Sequence, residues 1–252
     1  MPDVAMTFID HLSELRRRLI VIFVAVLVGA TACYVFIETI VDYLLVPAGG
    51  TEFVYLAPPE LFLAYLRLSI VLGITVSLPI TLPQVWFFIR PALNRAEKRA
   101  TEFALLGGTL FFATGVYFAY QVILPMTMRF FLQYATQDIQ PMFSFGGYVG
   151  FILSILLAFG SAFEMPIVIV ILARIGLVTP AILRAARKYM LIALLVFSAV
   201  LTPPDVVSQL LLAGPMMILY EFSLLLARIF ARRRQAEIDA LYDFPSEKPN
   251  ES

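Results

Sequence analysis

Three carboxylates lie at places in this chain where an acid is costly or unexpected. Glu164 interrupts the apolar run Phe145–Ala173, whereas Glu14 and Glu97 each lie in a basic segment that borders an apolar run. A charge at the bilayer centre costs about 2.5–3.5 kcal/mol on insertion scales, so such an acid faces a bundle interior or a wet cavity. Glu164 is therefore a candidate functional group. The alternative is a neutral acid hydrogen-bonded to a neighbouring helix, such as one that presents Gln209.

Glu14 and Glu97 are candidates for binding a guanidinium group. A carboxylate accepts two parallel hydrogen bonds from arginine, and lysine does not reproduce this fork. Each acid also has a local explanation, because Glu14 can pair with Arg18 one helical turn later. Glu97 can complete a helix cap that begins at Asn94. Spacing alone does not choose between the local and the functional interpretation.

Recognisable sets of catalytic or metal-binding residues are mostly absent from the sequence. His11 is the only histidine and precedes the first apolar run, and Cys33 is the only cysteine. There is no phosphate-binding loop and no cluster of metal ligands. The net charge is zero, which argues against a generally basic protein that binds nucleic acid. We therefore predict a protein without catalytic residues, metal or cofactor, and without a nucleic-acid partner.

The composition predicts an integral membrane protein. Hydrophobic residues make up 61% of the 252 residues, charged residues make up 14%, and the mean hydropathy is +0.89. A chain of this length cannot bury so much apolar surface inside itself, so the excess faces lipid. Six apolar runs are candidate transmembrane helices: Leu19–Val41, Leu61–Phe88, Phe103–Leu124, Phe145–Ala173, Tyr189–Leu201 and Val206–Leu226.

The basic residues predict the orientation of these spans. Sixteen of the 18 lie before the first span, between the second and third, between the fourth and fifth, or after the sixth. The exceptions are Arg67, within the second span, and Arg129, between the third and fourth. Cytoplasmic segments are enriched in Lys and Arg, so both termini are predicted to be cytoplasmic. Six transmembrane spans is the number that preserves the alternation of basic and non-basic connecting segments.

Prolines and a short hairpin are expected to shape the membrane domain. Pro79, Pro83 and Pro166 lie inside predicted spans, where proline kinks or breaks a helix. The fifth span has only 13 uncharged residues, or roughly 20 Å of helix, so we expect the bilayer to be thinned around it. We divide the chain into an N-terminal cytoplasmic amphipathic segment, a membrane domain and a disordered cytoplasmic tail, with bounds of 1–18, 19–231 and 232–252.

Four segments together resemble the TatC family, the multi-spanning receptor subunit of the twin-arginine, Sec-independent protein translocase. They are HLSELRRRL at 11–19, SLPITLPQVWFFIRPALNRAEKRA at 77–100, AFGSAFEMPIV at 158–168 and LTPPDVVSQLLLAGPMMILYE at 201–221. Six spans with both ends in the cytoplasm are also the topology of this family. The resemblance extends from Phe8 to Arg228 and implies an all-α bundle of kinked helices that forms a concave cup in a bacterial-type plasma membrane.

The resemblance also implies a function and a set of site residues. TatC proteins bind the twin-arginine signal peptides of folded passengers and assemble with single-span TatA- and TatB-type subunits and with further copies of themselves. Transport is driven by the proton motive force. The residues that this implies for signal-peptide binding are Glu14, Glu97, Phe88, Arg99 and Arg16. Glu164 matches the intramembrane acid of the family, and Pro47 and Asp205 match positions near the far side of the membrane. Gln209 is the second residue that we predict for the intramembrane polar contact.

The sequence departs from the family pattern at one place and is also compatible with two other functions. The sequence around Glu97 reads A-E-K-R, where family members often have R-R or H-E-R-R, so the neighbours of this acid differ. A proton-coupled secondary solute transporter could use Glu164 in broken helices, although the chain has no internal repeat. A passive scaffold would need its acids only for assembly.

Overall fold

The computed structural model describes residues 8–89, 95–135, 141–175, 177–201 and 206–242, with the backbone alone for residues 8–11, 86, 89, 95–106, 174–175 and 230–242. This part of the chain is almost entirely helical. Its α-helices are α1 (Phe8–Val35), α2 (Ile37–Leu45), α3 (Glu60–Ile89), α4 (Arg95–Phe118), α5 (Leu124–Leu132), α6 (Phe145–Phe163), α7 (Met165–Ile175), α8 (Pro180–Leu201) and α9 (Val206–Tyr242). The predicted all-α class is confirmed.

Five segments of the described chain are long and apolar enough to cross a membrane. They are Leu12–Val35, Glu60–Val85, Gly107–Leu132, Phe145–Ala173 and Val206–Ile229. Each overlaps a predicted span. The remaining prediction, Tyr189–Leu201, forms the second part of α8, whose first part carries three basic side chains. The sixth crossing therefore stays a prediction, because α8 combines a short apolar stretch with a charged beginning.

The first two long helices cross with their backbones in close contact. Gly29 of α1 lies against Gly73 of α3, so close that a Cβ added to Gly73 would lie 2.4 Å from the backbone nitrogen of Ala30. Small residues permit this approach, which is a common basis of helix packing in lipid. Arg18 of α1 is hydrogen-bonded to Gln84 of α3, so the two helices run antiparallel. We call the end of the bundle that contains Arg18 the near face and the opposite end, where α3 begins, the far face.

Replacing Gly73 with alanine should weaken the packing of α1 on α3. The added methyl group would overlap backbone atoms of Ala30, which cannot rotate away as a side chain can. Overpacking of this kind costs about 1–3 kcal/mol, so we expect a lower midpoint in thermal unfolding of the purified protein in detergent. Gly214→Ala is the matched control, because no atom lies within 4 Å of its added Cβ. Equal midpoints for the two variants would contradict the close crossing.

The helix α6 lies at the centre of the hydrophobic core. Ile152, Ile155 and Phe159 are fully buried, and the core around them includes side chains of α2, α3, α5 and α9. This helix ends at Glu164, where the chain turns before α7, and Pro166 follows in the first turn of α7. The break predicted at Pro166 is thus present. In contrast, α3 contains Pro79 and Pro83 and still forms one helix from Glu60 to Ile89.

Two short strands and an acid join the loops of the far face. Phe53–Val54 pairs in parallel with Phe143–Ser144. Glu60, the first residue of α3, accepts hydrogen bonds from the backbone nitrogens of Leu56 (2.6 Å) and Gly146 (2.8 Å) and from the hydroxyl of Ser144. One carboxylate therefore holds the beginning of α3 against the beginning of α6.

The chain is helical beyond both predicted ends of the membrane domain. The amphipathic segment before residue 19 is continuous with the first span, because α1 begins at Phe8. At the other end α9 continues to Tyr242, so the first part of the predicted tail from residue 232 is helix rather than coil. Residues 243–252 lie outside the described part.

Candidate functional site

Four side chains meet at the near face, between the beginning of α1 and the end of α3. The guanidinium group of Arg18 donates to Gln84 Oε1 (2.8 Å) and to Glu14 Oε1 (3.1 Å). Its carbon Cζ lies 5.1 Å from the centre of the Phe87 ring. We call Glu14, Arg18, Gln84 and Phe87 the near-face cluster. The helical spacing of four residues explains the Glu14–Arg18 pair, whereas Gln84 and Phe87 arrive only through the packing of α3 on α1.

The near-face cluster leaves hydrogen-bonding capacity unused. Glu14 Oε2 and Arg18 Nε are buried and have no hydrogen-bond partner among the residues whose side chains the structure describes. The two side chains keep only 20% and 27% of their exposure, so their charges are partly removed from water. A buried polar atom without a partner is costly. One carboxylate oxygen of the cluster is therefore left without a donor within the described part of the chain.

The other residues predicted for this surface are only partly described. Phe88 is half-buried in the last turn of α3, next to Phe87, and Arg16 is exposed on α1. Glu97 and Arg99 lie in the first turns of α4, but their side chains are outside the described residues. The structure thus brings Glu14 close to the α3 end that carries Phe88, and the contacts of Glu97 stay a prediction.

Glu164 lies against a neighbouring helix that makes room for its carboxylate. A Cβ added to Gly108 of α4 would lie 3.1 Å from Glu164 Oε2 and 3.4 Å from Oε1. The side chain is half-buried, and no hydrogen-bond partner for the carboxylate is present among the described residues. The backbone carbonyl of Glu164 accepts from Ile167 (3.1 Å) and Val168 (3.0 Å), which begins α7. The Glu164 carboxylate thus lies beside Gly108 of α4, at the break between α6 and α7.

The neutral-acid alternative suggested a hydrogen bond between Gln209 and Glu164. This bond is not present in the structure. The side-chain nitrogen of Gln209 donates to the carbonyl of Leu195 at 2.8 Å, and so joins α9 to α8. Pro47 lies in a 3-10 turn, Val46–Ala48, that follows α2 on the far face. Asp205, the other predicted far-side residue, lies outside the described residues.

Two sets of contacts made by acidic side chains were not anticipated from the sequence. Glu221 lies within the last span and forms an ion pair of 2.6 Å with Arg187 of α8. Both side chains keep more than 40% exposure, so this pair is more open to its surroundings than Glu14 and Arg18. The second set is the Glu60 network of the far face. A sequence signal for the Arg187–Glu221 pair does exist. It is an acid within a span that follows a basic residue in the preceding antiparallel helix.

Comparison with known proteins assigns the chain to a family. The family described as "Sec-independent protein translocase protein (TatC)" matches residues 10–215. The chain belongs to the TatC family. It is 38% identical over 235 residues to the TatC protein of Desulforapulum autotrophicum, covering 91% of this chain and 87% of that protein. It is 36% identical to the TatC protein of Aquifex aeolicus, with coverage of 91% and 98%.

The fold supports the same assignment. A crystal structure described as that of the twin arginine translocase receptor TatC superposes with a TM-score of 0.78 at 37% identity, covering 87% of this chain and 99% of that one. As a TatC family member, the chain is a component of the twin-arginine protein translocase and a multi-pass membrane protein that works within a protein complex. The TatC family consists of protein-transport components rather than known enzymes.

Proposed function

We propose that this chain is the receptor subunit of the translocase and binds the twin-arginine signal peptides of folded passenger proteins at the near face. The near-face cluster is the observation that carries the proposal. Arg18 shows which contacts a guanidinium makes there: a carboxylate oxygen, an amide oxygen and an aromatic ring. These groups favour arginine over lysine, because a planar guanidinium donates several hydrogen bonds in a fixed geometry and stacks on an aromatic ring.

An incoming arginine would complete the cluster. Glu14 Oε2 is buried and has no partner among the described residues, and a peptide guanidinium would donate to it while Oε1 keeps its bond to Arg18. A carboxylate can accept from two guanidinium groups because each of its oxygens has two lone pairs. Binding would therefore remove the cost of an unsatisfied buried acceptor, and this gain would be absent in a peptide that cannot reach it.

We assign the second arginine of the signal peptide to Glu97. Only residues 90–94 separate the end of α3 from the beginning of α4, so Glu97 follows the near-face end of α3 within a few residues. Its position in the first turn of α4 favours an acid through the helix dipole. Arg99, Arg16 and Phe88 would border the same surface.

The remaining parts of the proposal concern topology and assembly. We propose six crossings, with α8 as the short fifth, and both termini in the cytoplasm of a bacterial-type cell. Glu164, which lies beside Gly108 and has no hydrogen-bond partner among the side chains that the structure describes, would form a polar contact with the transmembrane helix of a TatA- or TatB-type subunit. Export would be driven by the proton motive force. Family membership does not favour the alternative of a solute transporter that uses Glu164.

Site-specific photocrosslinking tests the receptor role. A benzophenone amino acid replaces Phe87, whose ring is partly exposed, so that both acids stay intact. We expect crosslinks to a signal peptide with R-R and at least about tenfold less to one with K-K, because lysine loses the bidentate contacts. The same substitution at Tyr55, exposed on the far face, is the control. Equal yields for R-R and K-K at position 87 would overturn the proposal.

The short apolar part of α8 allows a separate prediction about the thickness of the bilayer. Inserting four apolar residues after Val196 adds one turn, or about 6 Å, and should remove the hydrophobic mismatch that thins the membrane here. We expect passenger transport in membrane vesicles to fall while the protein still inserts and assembles. The same four residues inserted after Ser246, beyond α9, should leave transport unchanged. Normal transport by the α8 insertion would exclude a role for thinning.

A further inference from the structure

Arg67 is a basic side chain that faces outward from a membrane-spanning helix. It lies in α3, seven residues after Glu60, or about 10 Å further along the helix axis. Its side chain is exposed, and no partner for its guanidinium is present among the described residues. Helical side chains lean towards the N-terminus of their helix, so Arg67 is directed to the far face, as expected for an arginine that reaches the headgroup region.

An open groove between α3 and α6 surrounds this guanidinium. The groove has a volume of about 510 Å³, and its walls are formed by apolar side chains of α3, including Leu63, Leu66 and Ile70. Nη1 of Arg67 lies over α6, where a Cβ on Gly150 would be 3.2 Å from it. The groove thus combines an apolar wall, suited to an acyl chain, with one cation about two helical turns from the far-face end of α3.

The outer end of the same groove contains a carboxylate. Glu60 lines it and only accepts hydrogen bonds: two come from backbone nitrogens, and the third comes from Ser144, whose oxygen in turn accepts from Gly147 (3.1 Å). A backbone nitrogen can only donate, so these contacts favour the ionised form of the carboxylate. No ion pair joins Glu60 to Arg67 in the structure, so the groove presents a separate cation and anion.

We propose that this groove binds one phospholipid whose headgroup contains a phosphate and a primary ammonium, as phosphatidylethanolamine does. The proposal rests on the order in which the positive and negative side chains follow one another along the groove. In such a lipid the phosphate is nearer the acyl chains and the ammonium is further out, which matches Arg67 deeper in the groove and Glu60 at its outer end. A purely anionic headgroup would meet Arg67 but would be repelled by Glu60. A trimethylammonium headgroup could not donate hydrogen bonds to the Glu60 carboxylate.

Native mass spectrometry of the full-length protein in detergent tests the proposal directly. The protein is titrated with phosphatidylethanolamine, phosphatidylcholine and phosphatidylglycerol of identical acyl chains. We expect one site that binds phosphatidylethanolamine about tenfold more tightly than either of the others, the usual scale for hydrogen bonds to charged groups. Equal affinity for the three lipids would overturn the proposal, as would tighter binding of phosphatidylglycerol.

Variants locate the site. Arg67→Gln should lower the affinity for phosphatidylethanolamine about tenfold, and Arg67→Lys should keep most of it because the positive charge remains. Arg129→Gln is the matched control, since Arg129 is an exposed arginine of α5 outside the groove. Circular dichroism verifies that each variant is folded. Unchanged lipid binding by Arg67→Gln would overturn the proposal. If that variant keeps its lipid and instead loses contact with a second membrane protein, the groove is a docking site for a helix and the proposal is wrong.

Discussion

Replacing both Glu14 and Glu97 with glutamine should lower the affinity for a twin-arginine signal peptide on the order of 100-fold or more. Each substitution removes a carboxylate that would accept charge-assisted hydrogen bonds from guanidinium, and such bonds contribute about 1.5–3 kcal/mol each. Glutamine keeps the size and one acceptor oxygen, so the loss reports on charge and not on shape. Fluorescence anisotropy with a labelled peptide and protein in detergent measures the affinity.

The selectivity of the double variant is as informative as its affinity. The parent protein should prefer R-R over K-K, and the double variant should bind both peptides almost equally, because the groups that distinguish guanidinium from ammonium are gone. Glu14→Gln alone also leaves Arg18 without its acidic partner, so Glu97→Gln alone is the cleaner single variant. Glu38→Gln, an exposed acid of α2 at the far face, should behave as the parent. Undiminished R-R binding by the double variant would exclude both acids as the receptor site.

Replacing Glu164 with leucine should reduce contact with the partner helix and passenger transport about tenfold, whereas Glu164→Gln should retain most of both. An interhelical hydrogen bond in lipid is worth roughly 1–2 kcal/mol, and glutamine preserves it while leucine does not. A photoreactive residue at Val168, exposed one turn later on α7, reports the contact by crosslinking. Transport is measured in membrane vesicles with an imposed proton motive force.

The results for the two Glu164 variants separate a polar contact from proton transfer. If glutamine is as defective as leucine, ionisation of Glu164 is required, and the polar-contact role is insufficient. If both variants transport normally, the contact itself is excluded. Gly108→Ala adds a positional test, because its methyl group would lie 3.1 Å from Glu164 Oε2 and press the carboxylate slightly away from α4. Gly107→Ala is its control, since the added Cβ would make an ordinary contact of 3.4 Å with Ile167.

The local part of the near-face cluster could be read from the sequence, and the rest could not. The Glu14–Arg18 pair follows from a spacing of four residues on a helix, and it was one of the two interpretations of Glu14. Gln84 and Phe87 follow from no spacing, because they lie on another helix. Their position depends on where Gly29 and Gly73 allow α1 and α3 to cross.

For Glu164, too, the sequence predicted one part of its environment and the tertiary structure decided the other. Its presence inside an apolar run and the proline two residues later indicated a special position and a helix break. Its suggested bond with Gln209 was not found, since Gln209 reaches the carbonyl of Leu195 instead. The neighbour of the carboxylate is Gly108, a residue without a side chain, and such a neighbour leaves no pattern in the sequence.

The sequence by itself determined that this is a helical membrane protein of the TatC family, where five of its spans lie, and which acids are unusual. These properties depend on hydropathy, charge and short motifs, each of which is contained within one continuous segment. Only the tertiary structure decided which side chains meet: Arg18 with Gln84, Glu60 with Ser144 and Arg187 with Glu221. Partners on different helices are set by the crossing points and register of packed backbones, and these depend on the whole bundle at once.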